Sequence, residues 1–311
     1  MTILSRPCLP RVRAERGREM RISMKGDRPK MRGILIVLSM FWVGGIMLCS
    51  DSHSENLVPI PWTGKFPVFV IAHRGFSGAA PENTLAAFKK AMEVGSDMIE
   101  LDVHLSKDGE VVVIHDDTLK RTTRSNGKVA NFSLQELKKR DAGAWFGSRF
   151  FGERIPTLKE VLELTRGKIP IHIELKEGGL GQYTVTDLAD RSLEEVEKAG
   201  MLDQVLFGSF NLSAIERIRE KKPSLPVALI YDKAWSLPQD ATGGKPIPVL
   251  SCRGTVLTNN NISNAHQQGV KVLAWTVNTE DQMERFLAMG VDGIITNHPD
   301  KLIKILQKRF K

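Results

Sequence analysis

The feature that most constrains this chain is the recurrence, from residue 68 onward, of short continuous apolar runs separated by amphipathic stretches. Eight runs read as strands: 68–73, 98–105, 111–116, 170–176, 205–210, 227–231, 270–277 and 293–297. Helical periodicity falls between most of them, at 83–94, 158–164, 186–199, 211–221, 279–289 and 299–310. A strand that is apolar on both faces must be covered on both faces, which is the situation of a parallel sheet wrapped in helices. Eight such repeats favour closure into a slightly irregular TIM (β/α)8 barrel, an architecture that takes about 250 residues as one domain.

Three stretches break the rhythm. The link 106–110, Ser-Lys-Asp-Gly-Glu, is too short for a crossover helix, so the barrel is distorted there or carries a tight hairpin. Residues 117–156 show no barrel element and hold Arg121, Arg124, Trp145, Phe146, Phe150 and Phe151, as expected of a small inserted subdomain after the third strand. Between 232 and 263, Pro238, Gly243, Gly244, Pro246 and Pro248 weaken the pattern, and no helix can be placed.

The N-terminal region reads differently. Residues 1–50 form a basic leader in which Lys30, Met31 and Arg32 precede an uncharged run from Gly33 to Leu48. Sixteen residues are short for a membrane span and suit a signal peptide. Export, or membrane association through this segment, with cleavage or lipidation near Cys49, is the expectation; the true start could be Met20, Met24 or Met31. Residues 51–66, with Pro59, Pro61 and Gly64, read as a linker into a domain spanning 67–311. The net charge of +8 belongs mostly to the leader: ten Lys/Arg and three Asp/Glu precede residue 51, leaving 34 and 33 after it. A nearly neutral domain is not the footprint of a nucleic-acid binder. Of Cys8, Cys49 and Cys252, Cys252 alone lies well inside the domain, so no disulfide framework is available there.

Barrel active sites are assembled at the C-terminal ends of strands. The first strand here ends in His73 and Arg74, the second holds Glu100 and Asp102, the third ends in His115, and the fourth holds Glu174 and Lys176. Glu100 and Asp102, two apart on a strand, project to one side. With Glu174 they would place three carboxylates in one barrel mouth. The plain alternative, solvated strand residues, is poor where helices cover the sheet. A divalent cation relieves the repulsion of such a cluster, and all-oxygen ligation suits Mg²⁺, Ca²⁺ or Mn²⁺. A cation among carboxylates is a platform for phosphate. Arg74 and Lys176 would add charge to it, and His73 and His115 would form a proton-transfer pair. His104 and His172 share the strand parity of Asp102 and Glu174, but a structural role in a polar layer is the simpler expectation for both.

The runs AHRGFSGAAPENTLAAF at 72–88 and ELDVHLSKDGEVVVIHDDTLKRTT at 100–123 resemble the glycerophosphodiester phosphodiesterase family. IELK at 173–176, FGSFN at 207–211, AWTVN at 274–278 and GVDGIITNHPDKL at 290–302 extend the resemblance over about residues 68–307. It implies a TIM barrel with an insertion after the third strand. It further implies a divalent metal on Glu100, Asp102 and Glu174, acid–base catalysis by His73 and His115, and phosphate binding by Arg74 and Lys176. Glu82 matches the Glu of the Pro-Glu-Asn-Thr element, either holding its loop by hydrogen bonds or touching metal or substrate. Trp275 matches a strand-end aromatic that could pack against glycerol carbons, or serve the core. Asn297 stands where the family usually has an aspartate, which puts a supporting contact in doubt rather than the activity.

The expected reaction is hydrolysis of a small glycerophosphodiester, such as glycerophosphocholine or glycerophosphoethanolamine, to glycerol 3-phosphate and an alcohol. Lysophospholipase D chemistry on lysophospholipids is the nearest alternative, with Trp145, Phe146, Phe150 and Phe151 reaching acyl chains. A non-catalytic envelope-associated barrel is the other, and it would be expected to lack one of the histidines or carboxylates. Head group, choice of metal, oligomeric state and the division of acid and base between the histidines are beyond the sequence.

Overall fold

The computed structural model describes residues 64–233 and 247–311. The leader, Cys8 and Cys49, and all of the expected linker but residues 64–66 lie outside them. In chain order the elements are β1 (Phe69–His73), α1 (Leu85–Val94), β2 (Met98–Leu105), β3 (Val111–Val113), α2 (Lys120–Thr123), α3 (Leu134–Leu137), α4 (Leu158–Thr165) and β4 (Ile171–Leu175). Then come α5 (Val185–Ala199), β5 (Val205–Ser209), α6 (Leu212–Lys221), β6 (Val227–Tyr231), β7 (Val249–Arg253), α7 (Asn259–Gln267), β8 (Lys271–Trp275), α8 (Glu280–Met289), β9 (Gly293–Thr296) and α9 (Pro299–Arg309).

The parallel strands run β1-β9-β8-β7-β6-β5-β4-β2, and pairing of β2 with β1 closes the ring into an eight-stranded TIM barrel. One strand expected from sequence loses its place in the barrel, and one that was not expected takes it. Val111–Val113 is not a barrel strand: it turns back antiparallel along Val103–Leu105, the tight hairpin that the short link allowed. The missing barrel strand is β7, inside the stretch where the pattern fades, and α7 follows it.

The barrel encloses Ile71, Met98, Leu206, Ala228, Val249, Leu273 and Ile295. Larger clusters lie between strands and helices, and every residue of β2 is buried, Glu100, Asp102 and His104 included. Most of the described helices start where sequence places a cap. Thr157, Thr184, Thr258 and Thr279 each close a reciprocal capping box with the residue three positions on. Residues 117–156 fold over the rim beyond β3. Leu119, Val129, Leu137, Ala142 and Ile155 pack there with Val112 and Ile114. Trp145, Phe146 and Phe150 stack edge to face among themselves, leaving Phe151 as the exposed aromatic. Three of the four aromatics considered for acyl chains are thus turned toward one another.

Candidate active site

The inward side chains one step above the barrel interior are polar. In the strand register His73 lies beside Glu100, Glu100 beside His172, and Asp102 beside Glu174. Glu100, Asp102 and Glu174 are buried, and one oxygen from each lies within 4.8 Å of the others.

Two cations are built into this cluster. Arg74 Nε stands 3.3 Å from Asp102 Oδ2, and its Nη1 donates to Glu82 Oε1 at 2.8 Å. Lys176 Nζ donates to Glu174 Oε1 at 2.7 Å and stands 3.5 Å from Asp102 Oδ1. Arg74 has φ 56°, a left-handed backbone unusual for a side-chain-bearing residue, and its amide donates to Glu100 Oε2 at 2.8 Å. Asn83, also at φ 56°, donates its amide to Asp102 Oδ2 at 2.8 Å.

These contacts do not neutralise the cluster. Burial opposes the charge on Asp102, but Arg74, Lys176 and His115 outweigh it and hold its carboxyl far below the usual range. Burial, then Asp102 and Glu174, push Glu100 well above its ordinary value. Burial, then Asp102, push Glu174 up to about 7. The built-in cations do not keep all three ionised, a deficit that a divalent cation would make good. Asp102 Oδ1 has no hydrogen-bond partner among the described residues. The all-oxygen donor set and this unsatisfied atom fit a hard cation such as Mg²⁺, Ca²⁺ or Mn²⁺.

The two histidines face the same cleft, of about 560 Å³ with its open mouth included. His73 Nδ1 meets Asn297 Oδ1 at 2.6 Å, and its Nε2 is 4.0 Å from Glu100. Burial first, and then the Arg74 charge, lower its pKa to about 4. His115 has a carboxylate partner instead, Asp116 Oδ1 at 2.7 Å. Its main-chain carbonyl accepts from His104 Nε2 at 3.0 Å, a supporting role in keeping with the simpler reading of His104. His172 departs from that reading: it is buried, lines the cleft, and has no partner for either ring nitrogen among the described residues. A Cβ at Gly208 would stand 2.4 Å from its Nε2, so glycine makes its room.

Glu82 is not among the clustered carboxylates. It is shared by Arg74 and by Arg121, which donates to both its oxygens at 2.7 and 2.8 Å and to Asp116 at 2.8 and 2.9 Å. Trp275 lines the opposite wall, edge-on to Phe210, its Nε1 donating to the Ser251 carbonyl at 2.9 Å. Sequence reasoning assigned no role to Asn83, Asp116, Arg121 or Arg253. The Pro-Glu-Asn-Thr element signalled Asn83, and Asp116 adjoins His115. Arg121 acts across 39 residues from Glu82, a relation that spacing does not show.

The model of the glycerophosphoryl diester phosphodiesterase family matches residues 73–301. A glycerophosphodiester phosphodiesterase of Caldanaerobacter subterraneus is 41% identical over 77% of this chain and 98% of its own length. One from Bacillus altitudinis is 36% identical over 77% of this chain and 98% of its own. An Oleispira antarctica phosphodiesterase, solved with the product sn-glycerol-3-phosphate, superposes with a TM-score of 0.72 at 32% identity, covering 78% of this chain and 97% of that one.

Proposed function

The chain belongs to the glycerophosphoryl diester phosphodiesterase family and is a phosphoric diester hydrolase, and from that premise we propose that it converts small glycerophosphodiesters to glycerol 3-phosphate and an alcohol by metal-dependent histidine catalysis. The observation that carries the reading is convergence: three carboxylates within 4.8 Å, two cations and two cleft-facing histidines in one barrel mouth.

Glu100, Asp102 and Glu174 would hold a divalent cation, which when bound offsets phosphate charge as the diester is cleaved. Arg74 and Lys176 orient these carboxylates and bring positive charge to the phosphate seat. His73 and His115 exchange the protons of the reaction. One accepts a proton from the attacking hydroxyl or water, and the other donates one to the leaving alkoxide. Asn297 and Asp116 fix the two rings through Nδ1, so that each presents Nε2 to the cleft. Trp275 and Phe210 give the wall opposite the carboxylates an apolar side for the substrate's carbons. The basic leader with its uncharged run supports action outside the cytoplasm, free or anchored.

The test is release of glycerol 3-phosphate from a glycerophosphodiester by wild type, His73→Ala and His115→Ala. Each variant is expected to lose about a hundredfold or more in kcat with its melting temperature little changed. A fully active His115→Ala enzyme would overturn the assignment, and cleavage of lysophosphatidylcholine alone would move the substrate to lipids.

A further inference from the structure

In the closed strand order β7 stands four places from β2 in either direction, diametrically across the barrel from Glu100 and Asp102. Its last residue is Arg253, beside Trp275 in the register and part of the cleft lining. The guanidinium lies over the Trp275 ring, 5.1 Å from its centroid. Among the described residues its ion pair is with Asp232, at 3.4 Å through Nη2, and half of the Arg253 side chain is exposed. An exposed pair of this kind tethers weakly and leaves the guanidinium able to bind an anion.

Two consequences follow for a diester whose phosphate sits on the carboxylate wall. The aromatic face best suited to a quaternary ammonium is already covered by a cation, which repels a second one. An acidic group reaching the same wall meets a planar donor made for carboxylate or phosphate. Resting on the reading of the site as a glycerophosphodiesterase, we infer that Arg253 determines specificity. It selects diesters whose alcohol carries negative charge over those with a cationic head group.

The experiment compares kcat/KM for three diesters of glycerol 3-phosphate, made with 3-hydroxypropionate, 1,3-propanediol and choline. The wild-type enzyme is expected to rank them anionic, neutral, cationic, with about tenfold between the extremes carried mainly in KM. Arg253→Lys keeps the order with a narrower spread, Arg253→Gln collapses it, and Arg253→Glu inverts it. An unchanged order in Arg253→Gln and Arg253→Glu, or a wild-type preference for choline, overturns the inference while leaving the hydrolase reading intact. Absence of cleavage of all three diesters by wild type defeats both.

Discussion

His172 shows how much a single residue can depend on its surroundings. Its pKa is lowered by burial to about 4, against 6.5 for an exposed imidazole. Between those values the unfolded chain binds a proton that the folded chain refuses. Stability is therefore fully present above pH 6.5 and falls as pH drops toward 4, by about 3 kcal/mol for this group. His172→Asn should flatten the decline of melting temperature between pH 7 and 4, and an equally steep decline in the variant would refute the account. That His73, Glu100, Asp102 and Glu174 come together was legible because each stands on a barrel strand of known parity, whereas His115 reaches the same cleft from beyond the hairpin arm β3. That His172 would be a wall of the cleft was not, since a polar ring on a buried strand says nothing of whether its nitrogens find partners. Its freedom comes from Gly208 on the neighbouring strand.

Among the elements, α2 links the rim to the site. Arg121 on this one-turn helix reaches Glu82 on the β1–α1 loop, the partner of Arg74, and Asp116, the partner of His115, so the segment over the rim is tied to both sides of the cleft. Asp116 is held at about 2, first by Arg121 and then, against burial, by His115. Arg121→Ala should leave Glu82 poorly compensated, cost about 2 kcal/mol in denaturant unfolding, and lower kcat about tenfold through misplacement of Arg74 and His115. Wild-type turnover in that variant would show the bridge to be decorative. Most elements were readable from apolar periodicity and caps, and two were not. The run at 111–116 has the composition of a buried strand, but a link of five residues, 106–110, returns it along β2 instead of around the barrel. The strand β7 reads Val-Leu-Ser-Cys-Arg, a mixed pentapeptide among prolines and glycines, and it is recognised by its pairing with β6 and β8 rather than by its own pattern. That omission also hid Arg253.

For the molecule as a whole, the ring of strands brings carboxylates from β2 and β4 together with the β1 histidine in a layer above the apolar barrel interior. No single element could assemble that charge, and burial together with the neighbouring carboxylates raises Glu100 and Glu174, as expected where a cation is to complete the cluster. The direct measurement is hydrolysis of glycerophosphoglycerol by purified protein after exhaustive EDTA treatment, followed by addition of Mg²⁺, Ca²⁺ or Mn²⁺. Loss of glycerol 3-phosphate release with recovery in at least one metal is the predicted result. Full activity in protein shown to hold less than stoichiometric metal would contradict the central claim, leaving the three carboxylates to be explained by some other chemistry.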